Sequence, residues 1–105
     1  MKAVKIFHIL IEGRVQGVGY RHFAATHAKS FKINGTARNL LDGRVEVVIF
    51  AKEDENIEAY LNELQRGPAF AKVREIKVKE LDPNGGLQGY NLSSDFKILP
   101  DEEAP

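Results

Sequence analysis

The first apolar run, AVKIFHILIE at residues 3 to 12, is rich in β-branched and aromatic side chains and predicts a buried strand. The next periodicity is different. Tyr20, Phe23, Ala24, His27, Ala28 and Phe31 recur at steps of three and four, the stripe of an amphipathic helix over about residues 20 to 32. NGTARNL and RVEVVIFA follow as two runs joined through Leu-Asp-Gly. The Asp-Gly pair suits the positive φ of a tight turn, so the second and third strands are expected to be antiparallel neighbours. Ile57, Tyr60, Leu61 and Leu64 mark a second helix, begun by the acidic stretch EDENIE and stopped at Gly67-Pro68. AKVREIKVKEL reads as a fourth strand whose alternation is too imperfect to set its register. DPNGGLQG reads as a loop and the segment near DFKIL as a short last strand. The order β-α-β-β-α-β predicts an α+β, ferredoxin-like sandwich: two helices on one face of a four-stranded antiparallel sheet. Many activities use that scaffold, so function has to be read from a site.

Between the first strand and the first helix lies GRVQGVGYRH, residues 13 to 22, with three glycines and then Arg21. Glycines permit positive φ and let a ligand approach the backbone, so several amide N–H groups can point inward together. The loop feeds a helix N-terminus, where unpaired N–H groups and the dipole favour an anion. Arg21, in the first turn, adds a planar fork able to hold two phosphate oxygens. The loop is therefore expected to hold a phosphoryl group. It is not a Walker loop, since Val18 stands five residues after Gly13 and no Lys-Ser/Thr follows. Nor is it the dinucleotide pattern: Gly17 and Gly19 fit, but position 22 is histidine.

Composition narrows the chemistry. A chain of 105 residues supports one modest core, and without cysteine it has no disulfide, zinc-thiolate site or thiol nucleophile. Water is thus the expected attacking group at phosphorus. The formal net charge is zero, yet residues 1 to 52 hold nine Lys/Arg against three Asp/Glu, hence +6, and residues 53 to 105 six against twelve, hence −6. The cationic half contains the glycine loop, although EDENIE and the DEEAP tail account for much of the asymmetry. The first apolar run is too short and polar for a secretory signal or spanning segment, so a soluble, cytoplasmic protein without membrane contact is expected.

GRVQGVGYR, followed by GTARNLLDGRVEV, resembles the paired signature of the acylphosphatases, small ferredoxin-like enzymes that hydrolyse carboxyl-phosphate bonds. The resemblance extends to LNELQRGP and to the final strand containing Phe96, covering nearly the whole chain. It implies a stand-alone enzyme acting on small acyl phosphates. The backbone of Val15, Gln16, Gly17, Val18, Gly19 and Tyr20 would cradle the phosphate, Arg21 would bind it, and Asn39 would position the attacking water. No metal or other cofactor is implied. Residues 1 to 99 would form the domain and residues 100 to 105 an acidic tail beyond the family's usual end. Thr36 stands where an aromatic residue or valine is usual and Ala51 where glycine is usual, which bears on strand packing or a turn. Acetyl phosphate, carbamoyl phosphate and 1,3-bisphosphoglycerate share the reactive group, and no specificity pocket is legible.

Other residues have plainer readings. Asn39, judged by position alone, is a hairpin residue before Asp42-Gly43. Arg14, Arg38 and Arg44 read as solvated or field-setting. His8, His22 and His27 lack a shared metal spacing, and His22 is expected to face a different side of the helix from Arg21 in a structural role. An RNA-recognition domain has the same element order, but RVEVVIFA offers one aromatic residue where such a domain needs stacking surfaces, so no nucleic acid partner is expected. A noncatalytic accessory module is the remaining alternative, of the kind that begins larger carbamoyl-transferase maturation proteins. The missing cysteine pairs and the short chain set this sequence apart from those, and a monomeric enzyme is expected.

Overall fold

The apolar run after residue 3 becomes β1 (Val4–Arg14), a strand with neighbours on both sides. The computed structural model describes residues 4–52, 56–82 and 95–101. β1 pairs antiparallel with β3 (Val45–Lys52) through Ile9↔Val47 and Ile11↔Val45, and with β4 (Lys72–Leu81) through Ile9↔Val78 and Ile11↔Ile76. β2 (Asn34–Asn39) pairs with β3 across the Asp-Gly hairpin, where Gly43 has the expected positive φ of 96°. The sheet differs from expectation at its far edge. β5 (Phe96–Ile98) joins β2 in parallel, through Gly35↔Phe96 and Ala37↔Ile98, so the order is β4-β1-β3-β2-β5 and the sheet is mixed rather than wholly antiparallel. This short strand satisfies the outer edge of β2, which would otherwise present unpaired backbone groups.

Helix α1 (Tyr20–Ser30) and helix α2 (Ile57–Arg66) cover one face. Strand alternation supplies Ile9, Ile11, Ala37, Val45, Val47 and Ile49 to the core under them, and the helices supply Tyr20, Ala24, Ala28, Tyr60 and Leu64. Each fully buried large apolar side chain contributes roughly 1.5–3 kcal/mol. Leu64→Ala should therefore cost about 2–5 kcal/mol, cavity included. α1 ends two residues earlier than its stripe suggests: Phe31 is the C-cap, and Lys32 takes the left-handed φ of 59° that turns the chain into β2. α2 is capped by Asn56, whose side chain accepts from the Ala59 N–H at 3.2 Å, and Glu58 supplies the acidic first turn. Residues 53 to 55 of EDENIE, and DPNGGLQG beyond Asp82, lie outside the described residues. No helix among the described residues is long and apolar enough to cross a membrane.

The two helices are also tied by their tyrosines. The Tyr20 hydroxyl donates to the Leu64 carbonyl at 2.6 Å and the Tyr60 hydroxyl to the Ala24 carbonyl at 2.8 Å, so each helix holds the other's backbone. Burial pushes both phenols well above the ordinary range, because a phenolate there would lose its hydration. Above pH ~10 the unfolded chain releases these protons while the folded chain retains them, so stability must fall as pH rises through that region. Thermal unfolding followed upward from pH ~9 should show this loss. Tyr60→Phe should begin less stable by about 1 kcal/mol, from the lost hydrogen bond, and decline less steeply.

Candidate active site

The strand before the glycine loop continues further than its apolar content indicates. At Glu12/Gly13 the register against β4 slips, with Glu12 facing Glu75 and Gly13 facing Val73. A Cβ on Gly13, whose φ is 136°, would stand 2.1 Å from the Lys72 carbonyl oxygen, so this glycine serves the bulge and the loop proper begins at Val15. Val15 and Tyr20 drive their side chains into the core, at 1 % exposure each, and pin both ends of the loop. Gly17 and Gly19 have φ values of 74° and 78°, and a Cβ on either would meet nothing within 4 Å. Their requirement is conformational, since each backbone bends left-handed beside open space. Gly19 is also the N-cap of α1. It provides no side-chain cap and the first turn contains no acidic residue, which favours an anion at this helix end.

A cleft of about 170 Å³ opens there, lined by Val15, Gly17, Gly19, Tyr20, Arg21, His22, Asn39 and Ile98. Arg21 and Asn39, eighteen positions apart in sequence, thus share one wall system. Asn39 sits at the last position of β2, paired with Val45, and is 9 % exposed. Among the described residues its side chain makes no hydrogen bond, so its amide is available to a water or ligand in the cleft.

Two of the loop residues expected in the cradle do not line this cleft. Val18 packs its side chain against the core. The Gln16 side chain turns away and donates to the carbonyls of Leu40 and Arg44, each at 2.8 Å. It fastens the glycine loop to the hairpin that follows Asn39, a link invisible in sequence because it depends on long-range placement. His22 also departs from expectation. It is among the residues that line the cleft with Arg21, at the start of α1. Ile98, from β5, supplies a half-exposed apolar wall.

The remaining arginines and histidines lie elsewhere. Arg38 pairs with Glu46 at 2.9 Å, and Glu46 also holds His8 at 2.8 Å. Arg44 binds Asp42 at 2.7 Å, and that hydrogen-bonded guanidinium holds the Asp42 carboxyl below its ordinary range. Arg44 and Asp42 border a larger, more open depression of about 330 Å³ with Glu12, Gly13, Gly43 and Arg74. Its charges are balanced and it contains no positive-φ loop at a helix end, so the smaller cleft is the better anion site. His27 lies 3.8 Å from Glu63, and its ring is tilted against that of Phe23 with the centroids 4.3 Å apart. No three metal-ligating side chains cluster among the described residues. Thr36 and Ala51 occupy regular ladder positions, opposite Val48 and Lys5, are buried, and do not line the cleft.

Known proteins resemble this chain in sequence and in fold. The sequence profile of the acylphosphatase family matches residues 7–98. An acylphosphatase of Methylococcus capsulatus is 45 % identical over 99 residues, 93 % of this chain and 99 % of that one. The crystal structure of acylphosphatase from Bacillus subtilis superposes with a TM-score of 0.76 at 32 % identity, covering 92 % of this chain and 99 % of the other. Full-length HypF, crystallised in a phosphate- and nucleotide-bound form, contains a similar unit: TM-score 0.77 at 28 % identity, 97 % of this chain but 13 % of that one. With a profile spanning the sheet, both helices and both halves of the cleft, and a relative matched end to end, the chain belongs to the acylphosphatase family.

Proposed function

We propose that this chain hydrolyses acyl phosphates by direct, metal-free attack of water, with Arg21 clamping the phosphate, the backbone from Val15 to Tyr20 cradling it and Asn39 orienting the water. The observation that carries this reading is the single cleft in which the left-handed Gly17 and Gly19, the uncapped start of α1, Arg21 and Asn39 all meet. The leaving group explains why so few residues suffice. It departs as a carboxylate, stable at neutral pH, so no acid is required to protonate it, and positioning plus charge stabilisation do the rest. The water oxygen bonds to phosphorus as the bond from phosphorus to the acyl oxygen breaks. That electron pair leaves with the carboxylate, and the water protons remain with phosphate and solvent. Charge on the three equatorial oxygens of a loose transition state suits a ring of amides and one guanidinium.

The test is one of selectivity. Benzoyl phosphate should be hydrolysed rapidly and simple alkyl phosphate monoesters negligibly, since this reading assigns no acid to protonate an alkoxide. EDTA should leave the rate unchanged and inorganic phosphate should inhibit competitively. Loss of activity on chelation, restored by Mg²⁺, would refute the metal-free reading. In the same reading the chain works as a cytoplasmic monomer without a nucleic acid partner. Light scattering across protein concentrations and titration with single-stranded RNA check the monomer and the RNA.

A further inference from the structure

The guanidinium of Arg21 already holds two oxygens of its own chain. Its Nη1 donates to the Leu99 carbonyl at 3.3 Å and to the Asp101 carboxylate at 3.1 Å. Leu99 is fixed, because its N–H donates to the Ala37 carbonyl at 2.9 Å and continues the pairing of β5 along β2. Asp101, two residues further on, is thereby delivered to an arginine that lines the cleft. The pair is partly open to water: the Asp101 side chain is 61 % exposed and that of Arg21 32 %. Glu102 and Glu103 come next in the sequence.

We propose that Asp101 is a built-in competing anion, an autoinhibitory carboxylate seated on the arginine that the substrate phosphate needs. The inference rests on the reading of Arg21 as phosphate clamp. With both Nη1 hydrogens engaged, the Nε and Nη2 edge is left for a ligand, and the carboxylate cancels part of the charge that would attract it. An arriving dianion must displace Asp101 or sit beside a like charge. Displacement is the easier course, since an exposed ion pair of this type shifts an equilibrium by no more than about fivefold. A phosphate held by several amides as well as Arg21 outcompetes it. Asp101 is therefore a brake felt at low substrate concentration, which raises the apparent KM without closing the cleft.

The same contact could instead be a strut that aims Arg21, and the two roles have opposite signs. Calorimetric titration of the full chain with inorganic phosphate distinguishes them. As a brake, Asp101→Asn should bind phosphate about two- to fivefold more tightly than wild type at low ionic strength, and kcat/KM for benzoyl phosphate should rise in parallel. Asp101→Glu, which keeps the charge, should behave as wild type. The gap should shrink at about 1 M salt, where the screening length is about 3 Å. Unchanged or weaker phosphate binding by Asp101→Asn overturns the proposal. Amide chemical shifts of the wild type during the titration separate this failure from a deeper one. Phosphate-induced shifts at Gly17, Gly19 and Arg21 with no effect of Asp101→Asn would remove only the brake; their absence would remove the clamp, and the brake with it.

Discussion

Replacing Arg21 by lysine should lower kcat/KM by about a hundredfold or more while the protein remains folded, the scale expected when one transition-state anion contact is lost. Lysine preserves the positive charge at the start of α1, so the helix end and the long-range field barely change. What disappears is the planar fork, which can hold a carboxylate or carbonyl on one nitrogen and still offer a pair of parallel N–H donors to phosphate. An ammonium is a point donor on a flexible stem and cannot do both. Because Arg21 would grip phosphate in the ground state and more strongly in the transition state, KM should rise and kcat should fall together. The fold control is direct: Arg21 is on the surface of the cleft, and no core residue depends on it, so circular dichroism and the melting temperature should match wild type. A folded Arg21→Lys protein with near-normal kinetics would show that the phosphate is clamped by something else.

Elements whose burial is demanding were the legible ones. β1, β3 and the two helices carry apolar side chains at spacings imposed by the face they bury, so their places along the chain could be read directly. β4 is different. It is an edge strand in which only Val73, Ile76 and Leu81 are partly covered while the rest, Val78 included, are exposed, so no face was marked strongly enough to set the register. Three-residue β5 pairs in parallel with β2 for reasons of tertiary placement alone, and a segment that short has no periodicity to announce its partner.

The site divides in the same way. Gly17 and Gly19 stood out because a left-handed backbone restricts the residue type, and Arg21 because a guanidinium follows such a loop in the first turn of a helix. Gln16, His22 and Ile98 left no comparable trace. Gln16 acts through its side-chain bonds to Leu40 and Arg44, on a hairpin more than twenty residues away. Asn39 is the instructive case: by position it is an ordinary residue before a tight turn, and only the family resemblance singled it out. Its location in the same cleft as the start of α1 gives that choice a physical basis.

Substitution of that asparagine should separate turnover from binding. If Asn39 orients the water and barely touches bound phosphate, Asn39→Ala should lower kcat by a factor on the order of 10² while the phosphate Kd stays nearly unchanged, because the lost hydrogen bond matters chiefly in the transition state. The position is mostly buried but lies at a strand end beside the cleft, so alanine opens a space that water can enter and the ladder to Val45 is retained. Asn39→Asp is the sharper variant. It almost preserves shape and adds a base, yet it sets a negative charge in a cleft built for a dianion. Were proton removal from water limiting, aspartate would recover activity relative to alanine. With orientation as the role, and a leaving group that needs no proton, it should recover none and should weaken phosphate binding as well. Measuring kcat on benzoyl phosphate beside the calorimetric Kd for phosphate, in wild type and both variants, decides the matter: an alanine variant with normal turnover would return Asn39 to the hairpin, and an active aspartate variant would make it the seat of a base.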